Sequence, residues 1–96
     1  MKLLVPVSFD WDQGNIDKNR KKHGVHCKEA EEIFFNKPLK IYPDPKHSKK
    51  EQRFLGCGIT NKKRLLTIIF TIMDGKIRVI SARNQSKKEK REYAKK

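Results

Sequence analysis

The stretch Arg64 to Tyr93 reads RLLTIIFTIMDGKIRVISARNQSKKEKREY, and its pattern decides the fold. Asp74-Gly75 stands between two apolar runs. Type I′ turns need positive φ at both central residues, and Asp-Gly tolerates this, so the stretch predicts a β-hairpin. In the first strand Leu66, Ile68, Phe70 and Ile72 share one face, and Leu65, Ile69 and Met73 the other. A strand apolar on both faces belongs at the centre of a sheet. Strict alternation in the second strand puts Ile77, Val79, Ser81 and Arg83 on one face and Arg78, Ile80 and Ala82 on the other. Arg78 and Arg83 would then leave the sheet in opposite directions, and one site would not use both directly. Ser86 and Glu89 match the capping box S-x-x-E and predict the start of a last helix.

Working back from the hairpin, Glu51 to Thr60 predicts another strand. Phe54, Gly56 and Gly58 fall on one face, and Arg53, Leu55, Cys57 and Ile59 on the other. Two glycines on one face allow a helix or a ligand to approach the backbone closely. Leu39 to Tyr42 is a short strand stopped by Pro43-Asp44-Pro45, with a charged loop from Lys46 to Lys50. Lys28 to Phe35 has a helical stripe of Ala30, Ile33 and Phe34. Gln13 to Lys22 predicts a further helix, capped by Asp10 or Asp12. Its Lys18, Arg20, Lys21 and Lys22 suit the negative end of the helix dipole, and Gly24 ends it. Leu3 to Phe9 reads as a short strand that Pro6 demotes to an edge or a loop. The order β-α-α-β-β-β-β-α predicts one α+β domain over residues 1–96. Two N-terminal helices and one C-terminal helix would pack on a mostly antiparallel sheet of four to five strands.

The chain carries 24 basic against 11 acidic residues, a formal charge of +13. Such an excess favours polyanionic partners, nucleic acid first and an acidic protein second. Lysines number 18 and arginines only 6. Four arginines (Arg53, Arg64, Arg78 and Arg83) fall in or beside predicted strands, where a rigid fork suits bidentate phosphate contacts. Two cysteines, Cys27 and Cys57, are too few for a disulfide scaffold and fit a reducing compartment. The longest apolar run, Leu65 to Met73, is too short to cross a bilayer as a helix, and the first residues lack the features of a signal peptide. A cytoplasmic protein without a membrane partner is expected.

No P-loop, dinucleotide fingerprint or nucleophile elbow is present. His23, His26 and Cys27, with Cys57, match no common zinc spacing, so no metal or cofactor is expected. Metal-free RNA cleavage needs few parts. A 2′-hydroxyl loses a proton, a pentacoordinate phosphorane is neutralised, and a 5′-oxygen gains a proton. His23, Glu51, Glu89 and Tyr93 are candidates for the proton steps, with Glu89 and Tyr93 four residues apart on one helix face. For neutralisation Arg83 is favoured, at an exposed strand end, with Arg53 and Arg64 as possible neighbours. Each has a structural alternative: His23 can simply satisfy the last carbonyls of its helix, and Tyr93 can be a packing aromatic.

Several segments stand in order along the chain: F-D-W-D at Phe9 to Asp12, N-x-x-K-H-G-V from Asn19 to Val25, and E-A-x-x-x-F from Glu29 to Phe34. P-D-P at Pro43 to Pro45, R-F-x-x-G from Arg53, I-R-V-I-S-A-R from Ile77 to Arg83, and E-x-x-x-Y from Glu89 to Tyr93 continue the series. Together they resemble the BrnT-type toxins of bacterial type II toxin–antitoxin systems. The resemblance implies a RelE-like fold and a ribonuclease that arrests translation by cutting RNA. It implies a BrnA-like antitoxin partner, through which contact with DNA would be only indirect. Its motifs map onto His23, Arg53, Arg83, Glu89 and Tyr93 as catalytic candidates. Arg64, Arg78, Lys21 and Lys22 are the further RNA-binding candidates. Two other readings compete: a non-catalytic module that binds RNA or an antitoxin, and a transcription factor, for which no convincing recognition helix is seen.

Overall fold

The computed structural model describes residues 8–47 and 51–95. The hairpin forms as expected, with β3 (Leu65–Met73) and β4 (Lys76–Asn84) joined at Asp74 and Gly75, whose φ angles are 53° and 75°. Both central residues are thus in the left-handed region that a type I′ turn demands. With β1 (Lys40–Pro43) and β2 (Arg53–Ile59) they form an antiparallel sheet in the order β1-β2-β3-β4. β3 lies inside the sheet, as its two apolar faces require. Of the expected strand from Leu3 to Phe9, Leu3 to Val7 lie outside the described residues. Phe9 makes a single parallel bridge to Ile77, so the described sheet has four strands rather than five.

One expectation fails in an informative way. Ile69 pairs with Ser81, but its neighbour Phe70 pairs with Val79, which leaves Ile80 as an extra residue in β4. A bulge of this kind reverses the alternation of side chains beyond it. Ile77, Val79 and Ala82 therefore all reach the core. Arg78, opposite Thr71, and Arg83, opposite Thr67, come to the same face of the sheet, not opposite faces.

The helices α1 (Gln13–His23) and α2 (Cys27–Glu32) cover the other face. The Asp12 side chain caps α1, and Gly24, at φ 64°, closes it by donating to the Arg20 and Asn19 carbonyls. α2 starts at His26, whose ring accepts from the Lys28 N–H while Glu29 returns a bond to the His26 N–H. Cys27 is therefore the first helical residue, one before the expected Lys28. The helix is shorter than expected, ending in turns around Ile33 and Phe34 that put both into the core with Val25 and Ala30. Gly58 makes this seat possible, because a Cβ there would stand 2.7 Å from Ile33 Cβ. Phe34 meets Phe70 edge-on at 5.1 Å. α1 also seals the free edge of β4: Asn15 Nδ2 donates to the Val79 carbonyl, and buried Asn19 Oδ1 accepts from the Ala82 N–H. Those groups would otherwise offer an unpaired strand edge.

α3 (Lys87–Ala94) starts at Ser86 with the expected capping box and packs on the face that α1 and α2 leave open.

Candidate active site

The strand register builds one row across this second face: Lys40 on β1, Cys57 on β2, Thr67 on β3 and Arg83 on β4. Side chains of directly paired residues share a face, so the four point the same way. The next row holds Tyr42, Leu55, Ile69 and Ser81.

α3 is anchored on the first row through Glu89. Its two oxygens accept from Arg83 Nη1 and Nη2 at 2.7 and 2.9 Å. Oε1 accepts also from Thr67 Oγ1 at 3.0 Å and from the Ser86 N–H at 2.8 Å. Burial pushes the Glu89 carboxyl up, but these donors and the Arg83 charge outweigh it and bring the pKa down to about 2. The bond to Glu89 raises Arg83, which stays a cation. Burial likewise raises the Cys57 thiol, whose sulfur lies 3.6 Å from Thr67 Oγ1.

Between α3 and the sheet lies a cleft of about 380 Å³, lined by residues that include Lys40, Tyr42, Cys57, Glu89, Glu92 and Tyr93. Tyr93 donates its hydroxyl to the Pro38 carbonyl at 2.6 Å. Burial raises its pKa, and Lys40 Nζ stands 5.7 Å from its ring centre. Lys40 itself donates to the carbonyls of Glu92 and Lys95 at the end of α3.

The remaining sequence candidates fall in two other places. Arg53 pairs across β3 with Thr71, in the same row as Arg78. This row is four residues from that of Arg83 along β3, or about 13 Å. Arg78 is paired with Asp10 at 2.8 Å, which raises its pKa, and Arg53 lies 3.4 Å from Glu51. His23 ends α1, on the helix-covered side. Its carbonyl and that of Gly24 accept from Arg64, whose guanidinium also meets both Glu29 oxygens at 3.1 Å and Asn84 Oδ1 at 2.8 Å. Against the upward push of burial, the His26 N–H and Arg64 hold the Glu29 carboxyl below its ordinary value. Arg64 is thus the staple that closes the end of α1 onto α2 and β4. Arg64 reaches both the His23 carbonyl and Asn84, the neighbour of Arg83, so His23 and Arg83 share one end of the sheet, His23 on the helix-covered side and Arg83 on the other. Lys21 and Lys22, both exposed, lie on the last turn of α1 beside His23. His26 caps α2, and the sulfur of Cys27, its first residue, lies 3.8 Å from His26 Nδ1. Among the described residues no three His, Cys, Asp or Glu side chains converge as metal ligands.

The family model for the ribonuclease toxin BrnT of type II toxin–antitoxin systems matches residues 11–89. The chain belongs to this BrnT family. The matched span contains both helices of the first face, the whole sheet and Glu89. Among solved structures, the 1.1 Å crystal structure of the Brucella abortus ribonuclease toxin BrnT is similar in fold. Its TM-score is 0.64 at 24% identity, over 84% of this chain and 99% of that one. No curated protein matches the chain.

On this BrnT scaffold Glu89 and Tyr93 line the α3 cleft and Arg83 is bonded to Glu89 beside it, whereas Arg53 and His23 stand apart from it. Thr67, Lys40, Tyr42 and Glu92 are the residues that sequence reasoning left out. Thr67 had a visible signal: with Thr71 it makes a polar spacing of four in an otherwise apolar strand. Lys40 and Tyr42 become significant only through the β1–β2 register.

Proposed function

We propose that this toxin is an endoribonuclease that cleaves RNA without a metal ion and thereby inhibits translation. The observation that carries the reading is Arg83, a cation held by a bidentate carboxylate at the side of a cleft on the open face of a +13 protein. A guanidinium fixed in this way needs no reorganisation to meet charge that develops on a phosphorane. Glu89, held far down at about 2, is a weak base and acts by positioning Arg83. The Tyr93 hydroxyl, kept protonated and turned to Pro38, supports the cleft wall. His23 is the candidate for the proton steps that the family resemblance supplies; it stands at the same end of the sheet as Arg83 but on the other face, so it acts only on an RNA that turns around that end. The 2′-oxygen would attack phosphorus as the 5′-oxygen leaves, giving a 2′,3′-cyclic phosphate and a 5′-hydroxyl. Arg53 and Arg78, with Lys21 and Lys22, supply further backbone contacts, and Arg64 serves the fold.

The same reading makes the protein cytoplasmic and RelE-like in fold, silenced by a BrnA-like antitoxin through which it reaches DNA only indirectly. In support, no helix among the described residues is long and apolar enough to cross a membrane. Purified protein incubated with total RNA in excess EDTA should release fragments with 5′-hydroxyl ends. Intact RNA, or activity that appears only on adding a divalent metal, would refute the metal-free reaction.

A further inference from the structure

We infer that the α3 cleft is a nucleobase subsite of the cleavage reaction, with Tyr42 as its stacking platform. The inference rests on the ribonuclease reading above and adds to it the position of one base of the bound strand, three strands across the sheet from Arg83.

Place and size come first. Glu89 lines the cleft and also holds Arg83, so a phosphate at Arg83 sits at the cleft's side. At about 380 Å³ the space is of the order that small ligands fill, and Leu55 and Cys57 give it an apolar floor. Tyr42 lies on the edge strand β1, on the same face as Arg83, and is 46% exposed. An aromatic ring open to solvent beside fixed positive charge is the usual platform for an unpaired base.

The polar groups then narrow the ligand. Lys40 Nζ is committed to two carbonyls, the Tyr93 hydroxyl to Pro38, and Glu89 to Arg83, Thr67 and Ser86. Lys88 and Glu92 line the cleft too, and among the described residues the Glu92 carboxylate pairs with Lys95 at 3.3 Å, at the surface. Lys88 supplies a cationic donor and Glu92 an acceptor, which suits the mixed donor and acceptor edge that a nucleobase presents.

The test uses 2′-O-methyl RNA oligonucleotides, which bind without being cut. One position at a time is made abasic, and affinity is measured at low salt. Wild type should show one position at which loss of the base weakens binding about tenfold. Tyr42→Ala should erase the abasic penalty, and Tyr42→Phe should restore it. Unchanged melting temperatures would separate these effects from damage to the fold. Equal binding of intact and abasic strands at every position, or an undiminished penalty in Tyr42→Ala, would overturn the subsite. Cleavage of total RNA by the same wild-type preparation would then leave the ribonuclease reading standing, and its absence would remove both.

Discussion

Arg83 and Glu89 face each other with both terminal nitrogens matched to both carboxylate oxygens, at 2.7 and 2.9 Å. The pair joins the last strand to the last helix, and Thr67 and the Ser86 N–H complete the carboxylate's shell. One contact thus docks α3, orients the guanidinium and forms a wall of the cleft.

The pair makes stability depend on acid in a definite sense. The folded Glu89 pKa of about 2 lies below the ordinary 4.5, so its contribution is complete above about pH 4.5 and is lost as pH falls toward about 2. Solvent screening at this partly open site reduces the contribution to about 1–2 kcal/mol. Glu89→Gln should therefore unfold more easily than wild type by about that amount at pH 7, with the gap closing near pH 2. Urea titrations at both pH values measure it. A gap that stays constant with pH would show that the charge is not what stabilises the contact.

Gly58 should resist even the smallest side chain. A Cβ would approach Ile33 Cβ to 2.7 Å, and Ile33 is fully buried. Gly58→Ala should cost about 1–3 kcal/mol, as overpacking does elsewhere. Gly56→Ala, with 3.2 Å to the Phe70 ring, should cost less. Thermal melts of the two variants give the order directly.

These two glycines belong to what was legible in the sequence. Their shared face announced a close approach, Asp74-Gly75 announced the turn, and Ser86 with Glu89 announced the last helix. Each signal is local, written in residues a few positions apart. The bulge at Ile80 has no such signal, because every residue around it suits a strand. It is imposed by the demand that Ile77, Val79 and Ala82 all reach one core, and it brought Arg78 and Arg83 to one face. The site was half legible for the same reason. Arg83, Glu89 and Tyr93 are linked by a short connection and a helical spacing, while Lys40, Tyr42 and Thr67 join them through register alone. Arg53 and His23 were grouped with Arg83 by chemistry and resemblance; strand register sets Arg53 four residues away along β3, and α1 carries His23 on the other face.

Arg64 should behave as a structural residue. It joins the His23 and Gly24 carbonyls, Glu29 and Asn84. Arg64→Ala should destabilise the fold by about 1–3 kcal/mol, since it leaves a carboxylate and helix-end carbonyls without their partner. Lysine should not rescue it, because one ammonium cannot replace a planar fork. At a temperature where the variant is folded, its affinity for RNA should stay within about threefold of wild type, whereas losing a phosphate contact would also flatten the salt dependence. Filter binding across a salt series distinguishes the two.

The most direct measurement of the central claim is single-turnover RNA cleavage in EDTA by wild type, Arg83→Ala and Arg53→Ala, each shown to be folded by circular dichroism. The account predicts that Arg83→Ala slows the chemical step at saturating protein by about a hundredfold or more, the usual consequence of removing a preorganised charge from a transition state. Arg53→Ala should mainly raise the protein concentration needed for half-maximal rate. Equal saturating rates for wild type and Arg83→Ala would contradict it.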